Sequence, residues 1–188
     1  MERSYQITEY CHHFLQEYIK EGDCCVDATA GNGGDTEFLC RCVGDTGKVF
    51  AFDIQKIALQ NTEARLKKAG YAERAQLFEA GHENMSSFVK EQAAAIVFNF
   101  GYLPGGNHKI ATQPHTSIEG IKQGLKILKQ GGVMSLCIYS GKDTGSEEKE
   151  AILSFLKELD DKKWLVIVNS YYNRKNEPPL PVFIIRLK

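Results

Sequence analysis

Val26-Asp27-Ala28-Thr29-Ala30-Gly31-Asn32-Gly33-Gly34-Asp35-Thr36 decides how this chain is read. The apolar run ending at Asp27 predicts a buried strand and Thr36-Glu37-Phe38-Leu39 opens a helix, so the glycines stand at a strand-to-helix turn. In α/β proteins such a turn seats a cofactor, because glycine lets the backbone fold tightly and approach a ligand. Two acids narrow the choice of ligand. Asp27 and Asp35 would repel a pyrophosphate and attract a molecule carrying an ammonium and a sulfonium, as S-adenosylmethionine does. A dinucleotide fingerprint is also incomplete here, since Gly31-x-Gly33 is followed by Thr36 where a third glycine belongs. That departure, with the charged turn, counts against a nicotinamide-dependent oxidoreductase.

Working outward, runs rich in Val, Ile and Phe predict seven strands, at 23–27, 48–53, 75–79, 95–100, 133–139, 164–170 and 182–187. Helical patterns separate the first five. One of them sets Ile118, Ile121, Leu125 and Leu128 on a single face behind a Thr116-to-Glu119 capping box. Another follows the fifth strand, with Ile152, Phe155, Leu156 and Leu159 at helical spacing. This βαβ alternation implies a parallel sheet. The link at 171–181 contains Glu177-Pro178-Pro179-Leu180-Pro181 and has no room for a crossover helix, so the last two strands pair antiparallel. The expected fold is α/β: a seven-stranded, mostly parallel sheet with an antiparallel last strand, the layout of Rossmann-like class I methyltransferases. Residues 1–188 read as one such domain, since 188 residues suffice for one well-buried core but not comfortably for two.

Composition sets further bounds. No signal-peptide core or membrane-spanning run is visible, because the first twenty residues are broken by Glu9, His12, His13 and Glu17, which predicts a cytoplasmic protein. Six cysteines lack zinc spacing and the density of a disulfide scaffold, so reduced thiols and no metal are expected. The net charge of −1 argues against bulk electrostatic binding of long nucleic acid. Its distribution is uneven: residues 1–100 carry 10 basic and 15 acidic side chains, residues 101–188 carry 13 and 9. A polyanion would therefore meet the C-terminal half, with Lys142 and Arg174 the first choices for phosphate contact.

Ligands of open α/β sheets sit beyond the carboxyl ends of the strands. After the second strand stands Asp53, twenty residues past Gly33, placed to accept from both ribose hydroxyls, with Gln55 beside it. After the third comes His82, which can accept from an adenine amino group, pack on the ring, or merely cap the next helix. The fourth ends in Asn99-Phe100-Gly101-Tyr102-Leu103-Pro104-Gly105-Gly106. Its Asn-x-x-Tyr spacing is similar to the signature of enzymes that methylate an exocyclic amine, in which the amide oxygen orients the nitrogen and the ring stacks on the base. Asn99 and Tyr102 are the expected catalytic pair. Leu103, Pro104, Gly105, His108, His115 and Tyr139 are candidates for the substrate rim, where a histidine could take a proton from an alkylammonium. His12 and His13, on an early helix, read as a solvated face.

Taken together, residues 27–36, Asp53, Gly81-His82-Glu83 and the segment 99–106 make the chain resemble one family along essentially its whole length. These are the small bacterial proteins labelled rRNA methylases, which include the MnmM-type tRNA methyltransferases acting on 5-aminomethyl-2-thiouridine at the wobble position. Asn107 departs from the acid expected there. The resemblance implies S-adenosylmethionine contacts at Asp27, Asn32, Gly33, Asp35, Thr36, Asp53, Gln55 and His82. It also implies a tRNA anticodon stem-loop as partner, with Asn99 and Tyr102 beside the transferring methyl. Methylation of rRNA or of a small-molecule amine remains the alternative, and a non-catalytic RNA-binding module a more distant one.

Overall fold

A computed structural model of the chain describes residues 6–101, 111–140, 145–174 and 178–188. Its centre is a seven-stranded sheet built from β1 (Cys24–Asp27), β2 (Lys48–Asp53), β3 (Ala75–Glu79), β4 (Ala93–Phe100), β5 (Leu128–Ile138), β6 (Trp164–Val168) and β7 (Leu180–Arg186). The spatial order is β3-β2-β1-β4-β5-β7-β6. Strands β1 to β5 run parallel, and β7 lies antiparallel to both β5 and β6. The antiparallel end thus follows from the short link expected between the last two strands.

Helices α1 (Ile7–Gln16), α2 (Gly34–Val43), α3 (Lys56–Ala69), α4 (Met85–Phe88), α5 (Pro114–Ile127) and α6 (Ser146–Lys157) cover the sheet. Alternate residues of each strand feed two cores. Val26, Phe52, Ile96, Phe98 and Leu136 meet Ile121 of α5 and Ile152 of α6 on one face. Cys25, Val49, Ala95, Val97 and Val133 meet Cys11 and Leu15 of α1 and Phe38 and Leu39 of α2 on the other. Burial on both faces explains why β4 reads as an unbroken apolar run rather than an alternating one.

Two expectations about α5 need correction. Its first turn begins at Pro114, so Thr116 lies inside the helix, and the backbone N–H of the N-cap Gln113 donates to Thr116 Oγ1 at 3.4 Å. Proline at the first helical position moved the start upstream of the expected Thr116-to-Glu119 box. At the other end the helix stops at Ile127, and Leu128 is the first residue of β5. Among the described residues no helix is long and apolar enough to cross a membrane. No group of three or more His, Cys, Asp or Glu among them is placed to hold a metal. All six cysteines are free.

Candidate functional site

The strand order reverses between β1 and β4, and a cavity of about 680 Å³ opens there at the carboxyl ends of the strands. This is where the topology of an open α/β sheet leaves a crevice. Its floor is the glycine turn. Gly31 and Gly33 adopt positive φ, at 52° and 77°. A Cβ on Gly33 would come within 2.9 Å of the Thr62 backbone in α3, and Thr62 Oγ1 donates to the Gly31 carbonyl at 3.1 Å. Only glycine meets both demands.

Three carboxylates stand around this turn in different surroundings. Asp27 is wholly buried, behind the cavity wall, and accepts from Thr36 Oγ1 at 2.6 Å and from the Thr29 N–H at 3.1 Å. Burial, and then the nearby Asp35 carboxylate, push its pKa up to about 7. Thr36 is equally buried, and it too lies behind the wall. Asp53 faces the cavity. It accepts the Gly31 N–H at 3.0 Å and the Gln55 N–H at 2.8 Å, one on each oxygen, which leaves a lone pair on each for a ligand hydroxyl. Asp35 also lines the cavity, at the first turn of α2, where an acid is favoured by the helix dipole.

Asn32, Gln55, His82, Asn99 and Tyr139 line the same cavity. Asn99 is fixed by its backbone N–H, which donates to Thr29 Oγ1 at 2.7 Å, and by its Nδ2, which donates to Asp35 Oδ2 at 2.6 Å. His82 is buried edge-on to Phe98 and Phe100, with Nε2 lacking a partner. Burial lowers its pKa, so the ring is held neutral and can accept or donate one hydrogen bond there. Tyr139 is 43% exposed, and burial of its hydroxyl raises its pKa, keeping the phenol protonated.

Other expected residues lie elsewhere. His115 is exposed on α5 and does not line the cavity. Arg174 lines a second cavity of about 410 Å³ with Lys149, Tyr171 and the fully exposed Tyr172. Tyr102, Leu103, Pro104, Gly105, His108 and Lys142, like Asn107, fall outside the described residues. On either side of residues 102–110, the Thr112 N–H donates to the Gly101 carbonyl at 3.0 Å, and the Gly101 N–H to Thr112 Oγ1 at 2.9 Å. Buried Glu148 accepts from Thr112 Oγ1 at 2.9 Å and from Ser117 Oγ at 2.6 Å, tying α6 to the start of α5.

Ile54, Thr8 and Thr112 are among the lining residues that the sequence reading did not single out. Ile54 is 60% exposed yet sits between Asp53 and Gln55 in the wall, an apolar platform beside two polar groups. Its signal was an isoleucine where a strand-end turn favours polar residues. Thr8 lines the cavity from α1, and Thr112 from the base of the 102–110 segment. The reading of His12 as a solvated residue is corrected outright: its ring stacks on Phe38 at 3.8 Å and its Nε2 lies 2.5 Å from Asp35 Oδ1. His13 is exposed, as expected.

The donor set fits an adenosyl sulfonium ligand. Carboxylates favour its positive charges, Asp53 offers acceptors to a diol, Ile54 offers an apolar face, and unpartnered His82 Nε2 offers a buried polar contact. A cavity of about 680 Å³ also leaves room for part of an acceptor.

Comparison with known proteins agrees. Residues 49–185 match the family model described as "Putative rRNA methylase". The chain is 37% identical, over 96% of its length and 69% of the relative's, to the chloroplastic tRNA (mnm(5)s(2)U34)-methyltransferase of Arabidopsis thaliana. A solved structure described as a "putative rRNA-methylase" of Clostridium thermocellum superposes with a TM-score of 0.95 at 41% identity, covering 98% of this chain and 100% of that one. A Streptococcus mutans "putative methyltransferase", solved in complex with SAH, gives 0.89 at 36% identity over 98% and 100%. With its sheet order, its acid-ringed glycine turn and this breadth of similarity, the chain belongs to the rRNA methylase family of class I S-adenosylmethionine-dependent methyltransferases.

Proposed function

We propose that this methyltransferase acts on the aminomethyl nitrogen of 5-aminomethyl-2-thiouridine at the wobble position of tRNA, with the anticodon stem-loop as its binding partner. The observation that carries the reading is Asn99, an amide fixed at the end of β4 in the wall of the acid-ringed cavity. The name of the Arabidopsis relative, similar over 96% of this chain, supplies the nucleoside.

When bound, S-adenosylmethionine supplies an electrophilic methyl group on a sulfonium that leaves as a neutral thioether. Asp53 and Gln55 hold the ribose end, Ile54 and His82 the adenine, and Asn32 and Asp35 the charged end. Asp27 and Thr36 act from behind the wall, Asp27 through its field and Thr36 by holding that carboxylate, while Gly33 permits the close turn. On the acceptor side, Asn99 receives a hydrogen bond from the amine through its carbonyl oxygen, so that the nitrogen lone pair points along the line of transfer. Alignment of this kind supplies much of the acceleration in a displacement whose leaving group is already good. Tyr102 stacks on the base, and Leu103, Pro104, Gly105, His108 and Tyr139 complete the acceptor rim, with His115 outside it on α5. A primary alkylammonium must lose a proton before it attacks, and a desolvating site favours its neutral form. Lys142 and Arg174 meet the phosphates of the stem.

The test is transfer by the purified protein to tRNA bearing 5-aminomethyl-2-thiouridine, to ribosomal RNA and to small primary amines, read by nucleoside and amine mass spectrometry. One methyl gained at the wobble nucleoside is the expected result. Methylation of ribosomal RNA or of free amines with the tRNA untouched rejects the reading.

A further inference from the structure

Helix α1 places Thr8 in the cavity wall and, one turn on, His12 against Asp35, which lines that wall. The His12 ring lies flat on Phe38, with centroids 3.8 Å apart and planes within 1°. That stacking aims Nε2 at Asp35 Oδ1, 2.5 Å away, and a ring nitrogen facing a carboxylate carries the proton. The other oxygen of Asp35 accepts from Asn99 Nδ2 at 2.6 Å. One carboxylate is thus gripped on both sides, by a helix before the first strand and by the end of the fourth.

The grip has a directional consequence. A carboxylate only accepts, so Asn99 must present its NH₂ to Asp35 and its carbonyl oxygen away from that carboxylate, and the residue stands in the cavity wall. That is the orientation an amine donor needs. Asp35 is also close enough to the buried Asp27 for the two charges to repel, which favours turning the Asp35 side chain outward. A donor on Oδ1 opposes that rotation.

We infer that His12 is a positioning residue for the methyl acceptor: its Nε2–H pins the Asp35 carboxylate, which sets the Asn99 amide with its oxygen toward the acceptor nitrogen. The inference rests on the amine-orienting role proposed for Asn99. Without His12, Asp35 swings free and the amide samples both orientations, half of which present NH₂ to the amine.

Two substitutions separate hydrogen bonding from packing. His12→Phe keeps a ring on Phe38 and deletes the donor, whereas His12→Gln deletes the ring and keeps an N–H at similar reach. In transfer to tRNA carrying 5-aminomethyl-2-thiouridine, His12→Phe is expected to lower kcat about tenfold or more, a larger change than the weakening of S-adenosylmethionine binding that follows from loosening Asp35. His12→Gln is expected to stay within about threefold of wild type, since it restores the charge-assisted bond. NMR of the Asn99 side-chain amide gives a readout independent of substrate: its resonances move in His12→Phe and hold their place in His12→Gln. If the ring rather than the donor matters, the order of the two variants reverses and the inference falls. It also falls if the Asn99 amide is unmoved in His12→Phe. Should that variant not fold, His12→Ala takes its place in the same comparison. Full turnover by Asn99→Ala would overturn the role of Asn99 itself, whereas loss of turnover in Asn99→Ala with none in His12→Phe would overturn only that of His12.

Discussion

The two walls of the cavity are built on different length scales. On the cofactor side, Asp27 and Thr36 are nine residues apart and Gly31 and Asp53 are 22, so strand, turn and next strand brace one another within a single βαβ unit. On the acceptor side, Asn99 is 64 residues from Asp35, the carboxylate that the two walls share, and 70 from Thr29, and His12 joins from a helix outside the βαβ series. A short-range wall leaves its mark as a motif. A long-range wall exists only once the sheet has formed, and its chemistry therefore separates from that of the first.

Mutation of each wall tests that separation. The largest effect belongs to Asn99→Ala, which is expected to lower turnover on the order of a hundredfold by misaligning the acceptor, while affinity for S-adenosylmethionine stays nearly intact. Calorimetry showing that this variant no longer binds the donor, with circular dichroism unchanged, would move Asn99 to the cofactor wall. Asp53→Ala is expected to do the reverse. Charge-assisted hydrogen bonds are worth about 1.5–3 kcal/mol each, so the donor dissociation constant should rise at least about tenfold. An unaltered constant would remove Asp53 from the ribose.

A smaller effect comes through Asp27. Its carboxyl titrates near 7 in the folded chain, against about 4 when unfolded. Between those values the folded protein holds a proton that the unfolded chain has released, so this group's contribution to stability is complete below about pH 4 and is lost as pH rises through 7. A cationic ligand reverses the preference, and donor affinity should climb as pH passes from about 6 to 8. Thermal melts of ligand-free wild type should therefore fall more steeply over pH 5 to 8 than those of Asp27→Asn. Parallel melting curves would show that Asp27 does not titrate there.

The smallest effect lies outside the cavity. If Arg174 meets an RNA phosphate, Arg174→Ala should flatten the log–log dependence of tRNA affinity on salt by about 0.7–0.9. A slope equal to wild type would exclude it.

The same difference in length scale decides what the sequence discloses. Positive φ at Gly31 and Gly33 and the placement of Asp53 follow from a local pattern, as does the antiparallel last strand from a proline-rich link too short for a helix. The start of α5 was misplaced because glutamine is a weak N-cap signal and Thr116 with Glu119 a strong one, although Pro114 fixed the actual first turn. Ile54 was missed because apolar strand-end residues are ordinarily core. His12 was misread because its neighbours on α1 include exposed His13, and nothing local announces Asp35 across the packed ring of Phe38. Periodicity places a side chain on a helix face but cannot say what that face meets.

The central claim, that both walls serve methylation of a wobble aminomethyl group, is tested most directly by nucleoside mass spectrometry of tRNA from a strain deleted for this gene. Accumulation of 5-aminomethyl-2-thiouridine at the wobble position, reversed by the wild-type gene and not by Asn99→Ala, is the predicted result. A wobble nucleoside profile unchanged by the deletion would contradict it.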